Sequence, residues 1–361
     1  MYESQTFEVI MERCLARVSS RVDKREGSII YDALAPACAE IATIYSELST
    51  LMDRAFPDTA TGEDLDKKCR ERGFTRRQAS AAVRRGVFAD SNGAAFSVPV
   101  GTRFSGGEIN YVVSYALEST GEFALTAETA GEIGNTYYGT LLPIDYVEGL
   151  AGAELEDILI PGEDTESDTS LRIRYFDSYD NQAFGGNQAD YKERVGALAG
   201  VGGVKVFRAA EGGGTVGLTI VTSDWGIPSA ELLASVQNAV DPLENQGSGI
   251  GFAPIGHTVT VTGVTGATVD VAFNLTLEEN VSWADIQSAV TAAINNYFLG
   301  LIESWADTSA ITVRISQVET RILAVAGVLD IEGTTLNAEV ANLQLGSTEI
   351  PVLGEVTNGA S

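Results

Sequence analysis

The chain has 361 residues, of which 44% are hydrophobic and only nine are proline, so disorder is excluded as the default and two to four folded domains are expected. The net charge of −27 is unevenly spread: residues 1–85 carry 14 Lys/Arg and 14 Asp/Glu, whereas residues 86–361 carry 9 and 36. Phosphate contact needs clustered cations, so the acidic three-quarters argue against nucleic acid as a partner, and the charge serves first to keep the chain soluble. Cys14, Cys38 and Cys69 are odd in number and widely spaced, which fits neither a disulfide framework nor a zinc site; they read as small apolar core residues in a reducing compartment. Glu3, Glu8 and Glu12 interrupt the first apolar residues, so a signal peptide is not expected, and no run of about eighteen apolar residues predicts a membrane span.

In chain order, residues 6–18 show helical spacing. Residues 30–55 show it more strongly. Leu34, Ala37, Ile41, Ile44, Leu48, Leu51 and Ala55 alternate at three and four, while Tyr31, Cys38, Tyr45 and Met52 recur every seven residues beside them. The apolar face is therefore wider than a two-stranded seam and belongs in a helical bundle. Two completions stay open: an internal bundle with residues 6–18 and 64–72, or one finished by another subunit. Pro36 lacks the N–H that would reach Asp32, so a kink, or the helix start itself, is expected there. Lys67, Lys68, Arg70, Arg72, Arg76, Arg77, Arg84 and Arg85 form the chain's basic concentration. They could meet an acidic face of a neighbouring copy; a solvated helix face with i,i+4 partners such as Lys67 and Glu71 is the favoured reading.

From 82 to 159 the period becomes two, and turns such as Asp90-Ser91-Asn92-Gly93 punctuate a β domain of short strands. An acidic run, residues 163–168, precedes a helix marked by Leu171, Tyr175 and Tyr179; its carboxylates read as capping that helix in preference to holding a cation. Phe184-Gly185-Gly186 breaks the chain, Asn187 caps the next helix with Asp190 in its first turn, and Tyr191, Val195 and Leu198 line one face until Gly200. Strands at 201–209 and 215–221 form a hairpin through Gly212-Gly213-Gly214, followed by a helix at 228–243, a glycine-rich loop at 247–256 and a strand at 257–265. This gives α-β-β-α-β, an antiparallel sheet with helices on one face. The helix end Arg194 to Val201 aligns with Arg321 to Val328, so a related unit, with a strand at 268–277 and a helix at 283–302, is expected at the C-terminus. The fold class is thus an α+β multidomain chain: an N-terminal helical bundle segment (1–80), an antiparallel β domain (81–162) and two small α+β modules (163–265 and 266–361).

Several motifs resemble those of the baseplate J-like family: Glu166-Ser167-Asp168, Leu171-Arg172-Ile173-Arg174, Gly185-Gly186-Asn187 with Asp190-Tyr191, and Gly200-Val201. The passage from Phe56-Pro57 through Gly62, then Leu65-Asp66 and Gly73-Phe74-Thr75-Arg76, is similar to the family's N-terminal part, and Val98-Pro99-Val100-Gly101-Thr102 and Gly134-Asn135 to its β domain. Residues 153–162 depart from the family pattern, which has asparagine and paired glycines there. The resemblance implies a non-enzymatic wedge subunit of a contractile phage tail or tail-like bacteriocin baseplate, released in the particle by lysis. It implies that Leu34, Ile41, Ile44, Tyr45, Leu48, Leu51 and Met52 pack against a second wedge protein. Other copies of the chain, the tail hub and tube, and the sheath would be its further partners, in a six-fold ring that relays the trigger for contraction.

The residues themselves call for no cofactor, metal or catalytic group. His257 starts an alternating strand with no nucleophile motif nearby, and Gly212-Gly213-Gly214-Thr215 lacks the Lys-Ser/Thr ending and the helix of a phosphate loop. Two rival functions are an acidic cell-surface adhesin, which requires an export signal, and a glycan-cleaving tail enzyme, which requires two facing carboxylates in a cleft.

Overall fold

A computed structural model describes residues 2–73, 75–180 and 185–359, so Phe74 and Phe184 lie outside the described residues. The chain divides into two compact units, Met1–Arg77 with Glu166–Asn181, and Gln78–Thr165 with Gln182–Ser361.

The first unit is helical: α1 (Phe7–Arg17), α2 (Ile29–Ala55), α3 (Gly62–Glu71) and α4 (Asp168–Asp180). Ser28 caps α2 by accepting the Tyr31 N–H, and the helix runs unbroken through Pro36, which sits in its second turn. The start is therefore at Ile29, not near Pro36. Ile10 and Met11 of α1 meet Cys38 of α2 in one small core, and Ala60, Leu65 and Cys69 meet Leu171 and Tyr175 of α4 in another. By packing, α4 goes with α3, and residues 166–181 belong to the first unit.

The second unit opens with β1 (Val83–Ala89), β2 (Arg103–Gly106), β3 (Ile109–Ala116), β4 (Glu122–Ala127), β5 (Gly139–Thr140), β6 (Leu142–Pro143) and β7 (Gly152–Ile160). These form one antiparallel sheet in the order β5-β7-β1-β4-β3-β2-β6. Only the buried Leu141 separates β5 from β6, so one continuous segment holds both edges and the sheet closes on itself. Phe88, Phe104, Tyr111, Phe123 and Leu125 fill it, and a Cβ on Gly86 would collide with Leu125.

The closure also explains residues 153–162. A register shift between Arg84 and Gly86 marks a bulge in β7, with Glu156 and Asp157 left out of the ladder. Successive carbonyls there turn the same way: Arg84 Nη2 donates to Glu156 O at 2.6 Å and Nε to Asp157 O at 3.4 Å. Nη1 donates to Gly134 O at 2.9 Å, and the Tyr138 ring lies 4.3 Å from the guanidinium. Arg84 is fully buried among these groups.

Next come α5 (Gln188–Val195), β8 (Val201–Arg208), β9 (Thr215–Thr222), α6 (Ala230–Val240) and β10 (Thr258–Gly263). β8 and β9 are antiparallel, but β10 runs parallel to β9, which corrects the all-antiparallel expectation. The cause is the helix between them: α6 carries the chain back along the sheet, so β9-α6-β10 is a crossover unit. The outer edge of β10 is occupied by side chains. Asp241 accepts from Val259 N–H, Gln237 accepts from Val261 N–H, and Gln237 Nε2 donates to Val259 O. Paired in this way, the edge cannot template another strand.

The C-terminal module contains β11 (Thr265–Leu277), α7 (Trp283–Glu303), β12 (Thr312–Val313), α8 (Ile315–Leu323), β13 (Val328–Leu336), β14 (Leu343–Gln344) and β15 (Glu349–Asn358). Its main sheet has the order β13-β11-β15, with β13 antiparallel and β15 parallel to β11, and α7 buries Ile286, Val290, Ile294 and Phe298 against it. The recurring Ala-Gly-Val places Gly200 (φ +84°) before β8 and Gly327 (φ +95°) before β13, both left-handed, but the helix itself stops earlier than Gly200, at Val195.

Arg84→Met should take the guanidinium donors away from three carbonyls and cost the barrel about 3 kcal/mol, checked by hydrogen exchange of the β1, β4 and β7 amides. Unchanged protection would show that the guanidinium contributes nothing net.

Candidate protein interface

The motif residues come together in the first unit as a polar clasp. Glu166 accepts from Arg174 Nε at 2.9 Å and Nη2 at 2.6 Å, and from the Arg77 amide at 3.0 Å. Asp168 accepts from the Gly62 amide at 3.0 Å, in the first turn of α3, and from Arg76 Nη2 at 2.6 Å. Arg76 also reaches Asp66 Oδ1 at 2.8 Å and Glu166 O at 2.6 Å. Arg172 donates to Pro57 O at 3.0 Å and Ala60 O at 2.8 Å, and Arg174 to Thr75 O at 2.7 Å. Burial alone would raise the Glu166 carboxyl, but Arg174 and the Arg77 amide hold it below its ordinary value; the Gly62 amide and Arg76 lower Asp168.

The acidic run therefore does more than cap its own helix. Ser167, not a carboxylate, accepts the Ser170 N–H at the start of α4. Glu163 accepts from the Gly200 amide at 2.6 Å and Asp164 from the Glu132 amide at 2.9 Å. Each acid is bound to a part of the chain far away in sequence.

The remaining motif residues shape the turn into α5. Gly185 (φ +56°) and Gly186 (φ +81°) are left-handed, Asn187 Oδ1 accepts the Asp190 N–H at 2.8 Å, and Asp190 in turn accepts from Gly186 N–H and Arg194. Tyr191 is buried with its hydroxyl 2.8 Å from His257 Nδ1; burial, then Asp241 and Asp190, push the phenol up to about 12, so it is a neutral hydrogen-bonding group. Val201 follows Gly200 as a buried first residue of β8.

The basic concentration disperses into separate pairs. Lys67 pairs with Asp64 and Lys68 with Glu71, both at i,i+3 and not through the expected Lys67–Glu71 pairing. Arg72 donates to Ser178 O and lies 3.8 Å from the Tyr179 ring centroid, while Arg85 pairs with Glu122. No group of three or more His, Cys, Asp or Glu among the described residues could hold a metal ion, and none of their helices is long and apolar enough to cross a membrane.

What the first unit leaves open is one side of α2. Leu34 and Tyr45 pack partly buried against α1, and Met52 is half-buried. Ile41, Ile44, Leu48 and Leu51 are exposed, with Ile44 at 53% and Leu51 at 60%. The seven-residue pattern thus splits: the Tyr31, Cys38, Tyr45 stripe turns to α1 together with Leu34, and the stripe at alternating spacings of three and four is bare from Ile41 to Leu51. A hollow of about 470 Å³ beside α1 is lined by Phe7, Met11, Leu15, Lys24 and Tyr31, and one of about 610 Å³ follows Ile44, Glu47, Leu48 and Leu51. On α4, Ile173, Phe176 and Tyr179 are also exposed; sequence periodicity signalled Tyr179 as a partner of Leu171 and Tyr175, and gave no sign of the other two.

Residues 183–263 match the baseplate J-like central domain and residues 269–359 the baseplate J-like protein C-terminal domain. The chain is 37% identical over 358 residues to an uncharacterized protein, YqbT, of Bacillus subtilis (strain 168), and equally to the phage-like element PBSX protein XkdT of the same organism, covering 99% of this chain and 98% of each relative. It is 30% identical over 291 residues to the baseplate protein gp47 of Escherichia phage Mu, covering 74% of this chain and 75% of that one.

Both clasp carboxyls are lowered in the folded chain, so their contribution is complete above the ordinary values of 4.5 and 3.8 and is lost as pH falls below them toward the folded values. Protection of the α3 and α4 amides should fall on acidification over that window. Glu166→Gln should lose about 2 kcal/mol at neutral pH and flatten the acid response, measured by hydrogen exchange. An unchanged acid response in that variant would remove Glu166 from the clasp.

Proposed function

The chain belongs to the baseplate J-like family, and on that premise we propose that it is a structural wedge subunit in the baseplate of a contractile phage tail or tail-like particle. The observation that carries the reading is the bare seam of α2, where four large aliphatic side chains in regular heptad spacing face solvent. Burying each is worth roughly 1.5–3 kcal/mol, so a partner helix with the same seven-residue period gains most of its affinity there. In this reading a second wedge protein completes the bundle with α2. The modules after the barrel meet other copies of the chain and build a ring around the tube, and a change in the ring's packing passes the trigger to the sheath. The motif residues spend their side chains on bonds within the fold, which supports a mechanical role over a catalytic one.

Because Ile41, Leu48 and Leu51 are exposed in the single chain, changing all three to Asp should alter its own stability by less than about 0.5 kcal/mol each. The same triple variant should fail to bind the second wedge protein on co-expression, read by co-purification. Full binding by a soluble triple variant would rule out the seam as the interface, and loss of folding in the variant alone would make it part of an internal core.

A further inference from the structure

We infer that the central and C-terminal modules, each matched by a separate domain family, form a single mechanical body pinned at Lys205 and Trp225. The inference goes beyond the wedge reading and stands without it. The covalent link is short: β10 ends at Gly263 and β11 begins at Thr265. Two modules joined only by such a link would be expected to hinge.

The packing is inconsistent with a hinge. Lys205 projects from β8 and is only 7% exposed, yet its partners among the described residues belong to the other module: Ser347 O at 2.8 Å, Ser309 O at 3.4 Å, and the ring of Trp305, whose centroid is 4.4 Å away. Trp305, itself fully buried, donates Nε1 to the same Ser347 O at 3.1 Å. One carbonyl is thus shared by a cation from the central module and an indole from the C-terminal one. Lys192 of α5 adds Ala306 O at 3.4 Å and Asp307 at 3.6 Å, and a Cβ on Gly203 of β8 would lie 3.3 Å from Ala306. A buried ammonium is costly unless its hydrogen bonds are made, so any shifted docking that kept this one buried away from Ser347 and Ser309 would be penalised.

The second pin also starts in the central module. Trp225, in the turn after β9, sits at φ +65°, a conformation unfavourable for a bulky residue. Its own N–H donates to Thr222 O at 2.9 Å, and Gly226 N–H donates to Thr222 Oγ1 at 2.7 Å, which fixes the turn. The indole packs against the C-terminal core, where Val221 of β9 is already a fully buried member. The central module therefore commits Lys205, Val221 and Trp225 to the C-terminal one, and a displacement applied at one end of residues 187–359 is transmitted without articulation between them.

The test is hydrogen exchange of the full chain in graded denaturant. The slowest amides of β9 and β11 are expected to open together, with matching equilibria and matching denaturant dependence. Lys205→Met keeps the stem and removes the ammonium; it should uncouple the two, with β8 and β9 exchanging at least about tenfold faster than β11. Trp225→Gly relieves the backbone strain while removing the indole, and should uncouple them in the same way. Protection of the barrel amides reports whether either variant still folds. Independent opening of β9 and β11 in the unaltered chain would overturn the inference, as would continued joint opening in both variants.

Discussion

The first unit depends on one constraint: α4 must be held against α3 although the two are far apart in sequence, and neither has a core large enough to do it. Among the described residues, the buried core that Leu171 and Tyr175 share with α3 and its approach consists of Ala60, Leu65 and Cys69, little apolar surface to fix a 13-residue helix that would be marginal alone. The charge-assisted bonds of Glu166 and Asp168 to Arg174, Arg76 and two backbone amides supply direction as well as energy, since a forked guanidinium accepts only one orientation of its carboxylate. Glu166 N–H also donates to Arg77 O, so the first unit is closed at the point where residues 78–165 leave and return. Paying loop-closure entropy once, at a fixed clasp, lets a whole barrel be inserted into a helical unit without unfolding it.

Holding α4 by polar groups has a further effect. The apolar residues that a conventional bundle would spend on its own core remain free on α2, where a helix of 27 residues buries Cys38 alone. The bare stripe would be a liability on a monomer but is a resource for a subunit, provided the rest of the molecule resists nonspecific association. The 36 acids against 9 cations beyond residue 85 supply that resistance through long-range repulsion.

The helices, the period-two barrel segment, the hairpin at Gly212-Gly213-Gly214 and the α2 stripe were legible in the sequence, because each is set by local spacing or by turn chemistry within a few residues. The clasp was legible only as a resemblance: nothing near Glu166 says that its partners are Arg174 and the amide of Arg77, since Arg77 lies 89 residues away with the barrel segment between them in sequence. The direction of β10 was available in principle, because a helix between two strands of one sheet argues for a parallel crossover. Arg84 was concealed by its neighbours. Counted with a basic run it looks like surface, whereas its phase with Gly86 and Phe88 on alternate positions of β1 puts it inside.

Arg84 and Lys205 show what such concealed cations do. In a chain carrying 50 carboxylates, both buried cations are bound by backbone carbonyls and an aromatic ring. A carboxylate partner would have to be desolvated as well, and its flexible side chain could follow the cation through a shift of register. A carbonyl cannot. It is fixed by the path of the main chain, so the guanidinium of Arg84 is satisfied only when the β7 bulge sits opposite it, and the ammonium of Lys205 only when the loop carrying Ser347 is docked on β8. Each cation therefore favours one register over its neighbours by leaving itself unpaired in every other.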